Sequence, residues 1–276
     1  MANYPLQTSR NLNQNYRPDI DGLRALAILP VILFHADLGC PGGFVGVDIF
    51  FVISGFLITS LILKEINDDA FSLINFWERR IRRILPALAV VVLATLVAGW
   101  FLFLPVDFEL LGKSVIAQAT LLSNVFFYRQ SLAGGGYFAP VSDTKTLLHT
   151  WSLAVEEQFY VLFPLLLIML ARQKRLSIAR AILWLCIGSL VLSIAGSYYR
   201  PEATFYLLPT RAWELMIGAF LAAIPGRQLS NPQIKEAVGW AGLGLIFYSM
   251  IFYTRETRFP GLAAIPPCLG TALIIF

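Results

Sequence analysis

The sequence predicts an all-α fold: a polytopic transmembrane helix bundle of about eight spanning helices, with one further interfacial or re-entrant segment. Three observations predict it. Apolar residues make up 57% of the chain and charged residues only 14%, against nearer a quarter charged in a soluble domain. Eight apolar runs approach the roughly 20 residues that a helix needs to cross a bilayer core. Lysine and arginine concentrate in alternate connecting segments, as spanning topology requires.

The elements follow in order. Residues 1–21 are polar, contain no apolar signal-peptide core, and read as a cytoplasmic tail ahead of a transmembrane domain over 22–276. Candidate spans fall at 22–38, 44–63, 84–104, 151–171, 179–199, 209–225, 238–253 and 261–276. The first two are joined by the breaker cluster Gly39-Cys40-Pro41-Gly42-Gly43. A ninth run, 112–128, is interrupted by Lys113, Gln118, Ser123 and Asn124, and is read as lying along the interface or re-entering. The chain stops at Phe276 inside an apolar run, so a C-terminally incomplete piece of a longer protein is expected.

With the N-terminus inside, the cytoplasmic segments hold Arg10, Arg17, Arg24, Lys64, Arg79, Arg80, Arg82, Arg83, Arg172, Lys174, Arg175, Arg180, Arg227 and Lys235. The outer segments hold Lys113, Arg129, Lys145, Arg200, Arg211, Arg255 and Arg258, half as many. The net charge of +4 is thus a topology signal and no argument for nucleic-acid binding. Cys40, Cys186 and Cys268 are too scattered for a metal cluster or a disulfide framework. No zinc-type spacing, Walker loop or Gly-x-Ser-x-Gly elbow occurs, and the only histidines are His35 and His149.

Ionisable groups inside a membrane cost a few kcal/mol and mark function by default. Arg24 and His35 lie eleven residues apart on the first span, about 1100° around the helix, so they share a face about 16 Å apart along the axis. Reflecting His35 about the breaker cluster lands on Asp48, within an otherwise apolar stretch. An imidazole beside a carboxylate is the arrangement of a general base, although either residue alone also serves as a polar clasp between helices. Ser54 lies deeper on that second span. Arg79/Arg82 and Arg80/Arg83, spaced i, i+3, can clamp phosphates or anchor the chain at lipid headgroups. His149, Trp151, Glu156, Glu157 and Tyr160 gather at the outer start of a span, suited to sugar binding, proton transfer or an aromatic belt. Adjacent glutamates point about 100° apart, so at most one faces a given site. Arg211 and Glu214, spaced i, i+3, favour an ion pair.

Taken jointly these stretches resemble the membrane acyltransferase-3 family. The resemblance rests on Asp19-Ile20-Asp21-Gly22-Leu23-Arg24-Ala25 with His35, on Gly43 to Ile58, on the 79–83 arginines, on 149–160 and on Arg211–Glu214. It implies O-acylation, commonly O-acetylation, of bacterial cell-surface polysaccharide such as O-antigen or peptidoglycan, at the cytoplasmic (inner) membrane. No bound cofactor is implied; acetyl-CoA or another acyl-CoA is the donor. The acceptor is an extracytoplasmic polysaccharide or lipid-linked sugar, and an esterase-like domain or partner accompanies many members.

On this reading Arg24 and His35 match an essential Arg/His pair, and Arg79–Arg83 a basic cytoplasmic motif. Glu157 and Tyr160 fall within a further motif. Expected roles are then His35, Asp48 and Glu157 in catalysis; Arg24, Arg79, Arg80, Arg82 and Arg83 on the donor; and His149, Trp151, Tyr160, Arg211 and Glu214 on the acceptor. The rival readings are a transporter or flippase coupling protons through the buried His/Asp pair, and a non-catalytic scaffold.

Overall fold

A computed structural model describes residues 17–134, 136–139, 144–172, 177–224 and 231–276. Most of the predicted tail lies outside these residues, as do Arg10, Lys174, Arg175 and Arg227 of the charge argument. Every regular element among the described residues is helical. In chain order these are α1 (Pro18–His35), α2 (Gly46–Asn67), α3 (Leu73–Leu102), α4 (Pro105–Ala119), α5 (Ser123–Gly134) and α6 (Thr150–Arg172). There follow α7 (Ile178–Tyr199), α8 (Pro201–Tyr206), α9 (Leu208–Ala223), α10 (Pro232–Phe252) and α11 (Ile265–Ile275).

Five stretches among the described residues are long and apolar enough to cross a membrane: Gly43–Asn67, Leu73–Leu102, Thr150–Arg172, Ile178–Tyr199 and Pro232–Phe252. The chain therefore folds as a multi-pass helical membrane protein. Three of the eight expected spans do not meet that standard. α9 has 16 residues, about 24 Å of helix against a core of about 30 Å. α1 has 18 residues and carries Asp19, Asp21 and Arg24. Gly261–Ile275 is apolar but shorter still than α9.

The interrupted run 112–128 is divided between α4 and α5, with Leu121 at φ 59° between them. Neither helix, at 15 and 12 residues, reaches a crossing length. Of the polar residues that break the run, Gln118, Ser123 and Asn124 turn inward, where helix, loop and neighbouring backbone satisfy them, whereas Lys113 stays exposed beside Glu109 at 2.6 Å. Ser123 Oγ donates to the Thr150 carbonyl at 2.8 Å, and Asn124 Nδ2 to the Tyr206 carbonyl at 3.1 Å. Gln158 Nε2 from α6 donates to the Leu121 carbonyl at 2.7 Å, on the residue where the run breaks.

α3 is the opposite case. Ser72 caps its start, its Oγ accepting from Asn75 N–H. Leu85, Val90, Leu93, Val97 and Trp100 then stand exposed along its length, the surface that a lipid-facing helix presents.

Between apolar helices in lipid, close backbone approach replaces the hydrophobic effect as the packing force. α2 and α9 use glycine for this. A Cβ on Gly55 would fall 1.8 Å from the Leu215 carbonyl oxygen, and one on Gly218 would fall 1.9 Å from the Val52 carbonyl oxygen. α1 meets the single turn of 3-10 helix before α2 and the first residue of α2 in the same way, with Gly43 against Pro30 and Gly46 against Ala27.

Candidate active site

Two helices carry the site, and they run in opposite senses past one another. Along α1 the chain passes from Arg24 to His35; along the His149–α6 segment it passes from His149 to Tyr160. Each pair is separated by eleven residues, about 16 Å of helix. At one end lies a cavity of about 580 Å³ walled by His35, Tyr137, Lys145 and His149. At the other lies a smaller one, about 200 Å³, walled by Arg24, Ser54, Arg80, Arg83, Glu156 and Tyr160.

In the larger cavity the two histidine rings stand 4.3 Å apart between centroids, tilted by 60°. His35 Nδ1 lies 2.7 Å from the Val31 carbonyl oxygen. A carbonyl only accepts, so Nδ1 carries the proton and Nε2 presents its lone pair in the neutral ring. That Nε2 faces the Tyr137 hydroxyl at 3.1 Å. The ring is therefore held in the tautomer that a proton acceptor needs, by backbone and without a carboxylate. His149 is exposed where it opens into the cavity, its ring backed by the His35 ring. Lost solvation, and secondarily the His35 ring, hold its pKa down to about 4, so it stays uncharged at neutral pH.

The expected contact between His35 and Asp48 is not made. Asp48 pairs instead with Arg211 of α9, its Oδ1 3.1 Å from Nη2, and Arg211 Nη1 lies 3.0 Å from Glu214 Oε1. All three are 0% exposed. Helix phase explains the choice. Asp48 lies seven residues before Gly55, about 20° short of two full turns, so it shares the α2 face that presses on α9. Gly46, which meets α1, lies about 200° round the helix from it.

The Arg211 guanidinium also stacks within 5.5–5.7 Å of the Phe51, Trp151, Phe205 and Phe259 ring centroids. Asp48 is thus held away from His35, and Arg211, Glu214 and Trp151 are buried rather than presented at the surface. They form the polar core of the α2–α9 crossing. Asp48, Glu214 and Cys268 do bring three possible ligand atoms within 4.8 Å. A metal ion there would have to displace the guanidinium that already joins both carboxylates.

At the other end the arginine cluster divides as its spacing predicts, but only half faces the cavity. Arg80 and Arg83 line it. Arg80 sits over the Phe76 and Tyr160 rings at 5.7 and 5.9 Å. Arg79 turns to Glu65 of α2 at 2.7 Å, and Arg82 to Glu78 at 2.6 Å on the exposed side of α3. Of the arginines expected on the donor, those two do not line the cavity, because one helix face cannot serve both pairs. Arg24 does line it, with Asp21 beside it at 2.9 Å.

Glu157, the one expected in catalysis, does not line the cationic cavity, and Glu156, for which no separate role was expected, does. Glu157 points to α4, where Gln118 Nε2 donates to it at 3.2 Å. Glu156 faces the cationic cavity and accepts hydrogen bonds from the Ser54 and Tyr160 hydroxyls. Tyr160 therefore belongs to this end and not to the acceptor end. Trp77 Nε1 donates to the Tyr160 carbonyl at 3.1 Å, tying α3 to α6 beside the cavity. A sequence signal for Glu156 exists: it lies seven residues after His149, within about 20° of the same face, whereas Glu157 does not.

The acyltransferase domain model matches residues 17–276, nearly the whole chain.

The chain belongs to the acyltransferase-3 family.

Family relatives include a Bacillus subtilis protein named "Putative peptidoglycan O-acetyltransferase YrhL", 37% identical over 81% of this chain and 36% of its own length. A Staphylococcus aureus (strain MSSA476) protein, "Putative O-acetyltransferase SAS0844", is 40% identical over 86% of this chain and 40% of its own. The chain thus spans about two fifths of these two relatives. A Haemophilus influenzae relative named "Uncharacterized protein" is 35% identical over 83% of this chain and is itself 96% covered. No solved structure matches the chain.

Proposed function

We propose that this acyltransferase-3 domain transfers an acyl group, acetyl foremost, from acyl-CoA to a hydroxyl of a cell-surface polysaccharide or its lipid-linked precursor. The observation that carries the reading is the pairing of two cavities on the same two helices, one cationic and one imidazole-lined, about 16 Å apart. Such a spacing suits an extended pantetheine arm with its phosphates held at one end. Arg24, Arg80 and Arg83 are the phosphate ligands, as planar bidentate donors suited to that group. The arm runs towards His35. The membrane is the bacterial cytoplasmic one, with the arginine end inside.

In the chemical step, His35 Nε2 accepts the proton of the acceptor hydroxyl as its oxygen attacks the thioester carbonyl. The carbon–sulfur bond then breaks, and the departing thiolate takes a proton back from the imidazolium. Val31 keeps the second ring nitrogen protonated throughout. Charge on both sides of the exchange balances without a metal in the scheme.

The test is transfer of radiolabelled acetyl from acetyl-CoA to polysaccharide by the purified protein in nanodiscs. Arg80→Ala and Arg83→Ala should each raise the acetyl-CoA KM about tenfold or more, the loss of one charge-assisted hydrogen bond. Arg82→Ala, already turned to Glu78, should change it by less than about twofold. Equal effects at Arg82 and Arg83 would remove the cationic cavity from the donor path.

A further inference from the structure

A second, larger cavity adjoins the histidine end. It measures about 800 Å³ and is walled by Phe103, Leu111, Phe126 and Phe127 with Ser114 and Gln130 among them. Lys145 lines both this cavity and the one containing His35 and His149. Its position is unusual on two counts. The Lys145 Nζ is shut off from solvent, and no group among the described residues accepts a hydrogen bond from it. A desolvated ammonium with all three donors unmet is costly, and burial alone lowers its pKa.

The other charges around the two cavities do not meet this need. Asp37 in the first and Asp107 in the second are exposed and keep their own water. Arg255 in the first is stacked on the Phe34 ring, 5.3 Å from its centroid. Aromatic walls with interspersed hydroxyl and amide groups suit the faces of a sugar ring, and both cavities fall within the size range of ligand sites.

The geometry points to the 800 Å³ cavity as an acceptor subsite, with Lys145 selecting an anionic sugar: it pairs with a carboxylate or phosphate on the unit next to the one presented to His35. This rests on the acyl-transfer reading for the role of the His35 cavity, but recognition of the anion does not depend on the donor. Lys145 is a specificity residue here and takes no part in bond making.

Binding separates the two. The intact chain is purified in uncharged detergent and titrated, by saturation-transfer NMR, with three probes. These are the disaccharide N-acetylglucosaminyl-N-acetylmuramic acid (carboxylate), N-acetylglucosamine 1-phosphate, and neutral chitobiose. One or both anionic probes should bind about tenfold tighter than chitobiose, the yield of one charge-assisted hydrogen bond. Lys145→Gln should bring that ratio to about one, and Lys145→Arg should preserve it, each variant checked for unchanged elution and helical circular dichroism. Preference for the muramyl probe alone assigns a glycan carboxylate; preference for the phosphate alone assigns a lipid-linked sugar. No preference in the unaltered chain, no binding of any probe, or a preference that survives Lys145→Gln overturns the inference. An anionic preference lost in Lys145→Gln, in a protein that takes no acetyl from acetyl-CoA, keeps this inference and ends the donor reading.

Discussion

Replacing His35 by alanine should lower acetyl transfer by about 10²- to 10⁴-fold, the range that a positioned proton acceptor supplies. The chain should still enter the membrane and fold. His35 opens into a cavity, and its polar contacts are to one carbonyl of its own helix and one tyrosine hydroxyl. Neither is a deeply buried partner whose loss would unfold the bundle. Steady-state transfer from labelled acetyl-CoA, read beside the fraction of protein eluting as a single species, measures both halves. A variant retaining more than about a tenth of the activity would show that another group takes the hydroxyl proton.

Arg211→Met should have the largest effect on folding, about 3–5 kcal/mol, because it leaves the Asp48 and Glu214 carboxylates uncompensated at 0% exposure. The loss should appear as a collapse in folded yield from detergent extracts. The triple variant Asp48→Val/Arg211→Met/Glu214→Met removes the charges together and should recover much of that yield, since buried ion pairs contribute less than their breakage costs. If instead the triple variant folds and is inactive while retaining a well-shaped His35 cavity, the ion pair serves chemistry. The same logic distinguishes Asp48 from His35. Asp48→Asn should lower folded yield and activity in parallel, whereas His35→Ala separates them.

Local periodicity made much of the bundle legible. The positions of α2, α3, α6, α7 and α10 follow from apolar run length, and the i, i+3 spacing of the arginines correctly sorts them into two faces. The Arg24–His35 phase on α1 likewise places the two residues at separate cavities about three turns apart. Pairings across the chain were not legible. Asp48 finds Arg211, 163 positions later, and reflection about a turn fails because it fixes depth and leaves rotation about the helix axis undetermined. The α2 phase relative to Gly55 contains that rotation, but only once Gly55 is known to touch α9. His35 and His149 meet through an antiparallel passage of α1 and α6 that no short-range pattern encodes. Nor does the tautomer of His35 depend on a side chain: the Val31 carbonyl four residues earlier holds it, a partner present in every helix.

On the proposed reading, a cationic donor cavity at one end of α1 and α6 and a histidine cavity at the other predict vectorial transfer. Sealed vesicles of uniform protein orientation test this, with labelled acetyl-CoA confined to the side bearing Arg24, Arg80 and Arg83 and a sugar acceptor confined to the side bearing His149. Label should accumulate on the acceptor in the opposite compartment, and reversing donor and acceptor should abolish it. Transfer only when both substrates share one compartment would contradict the account.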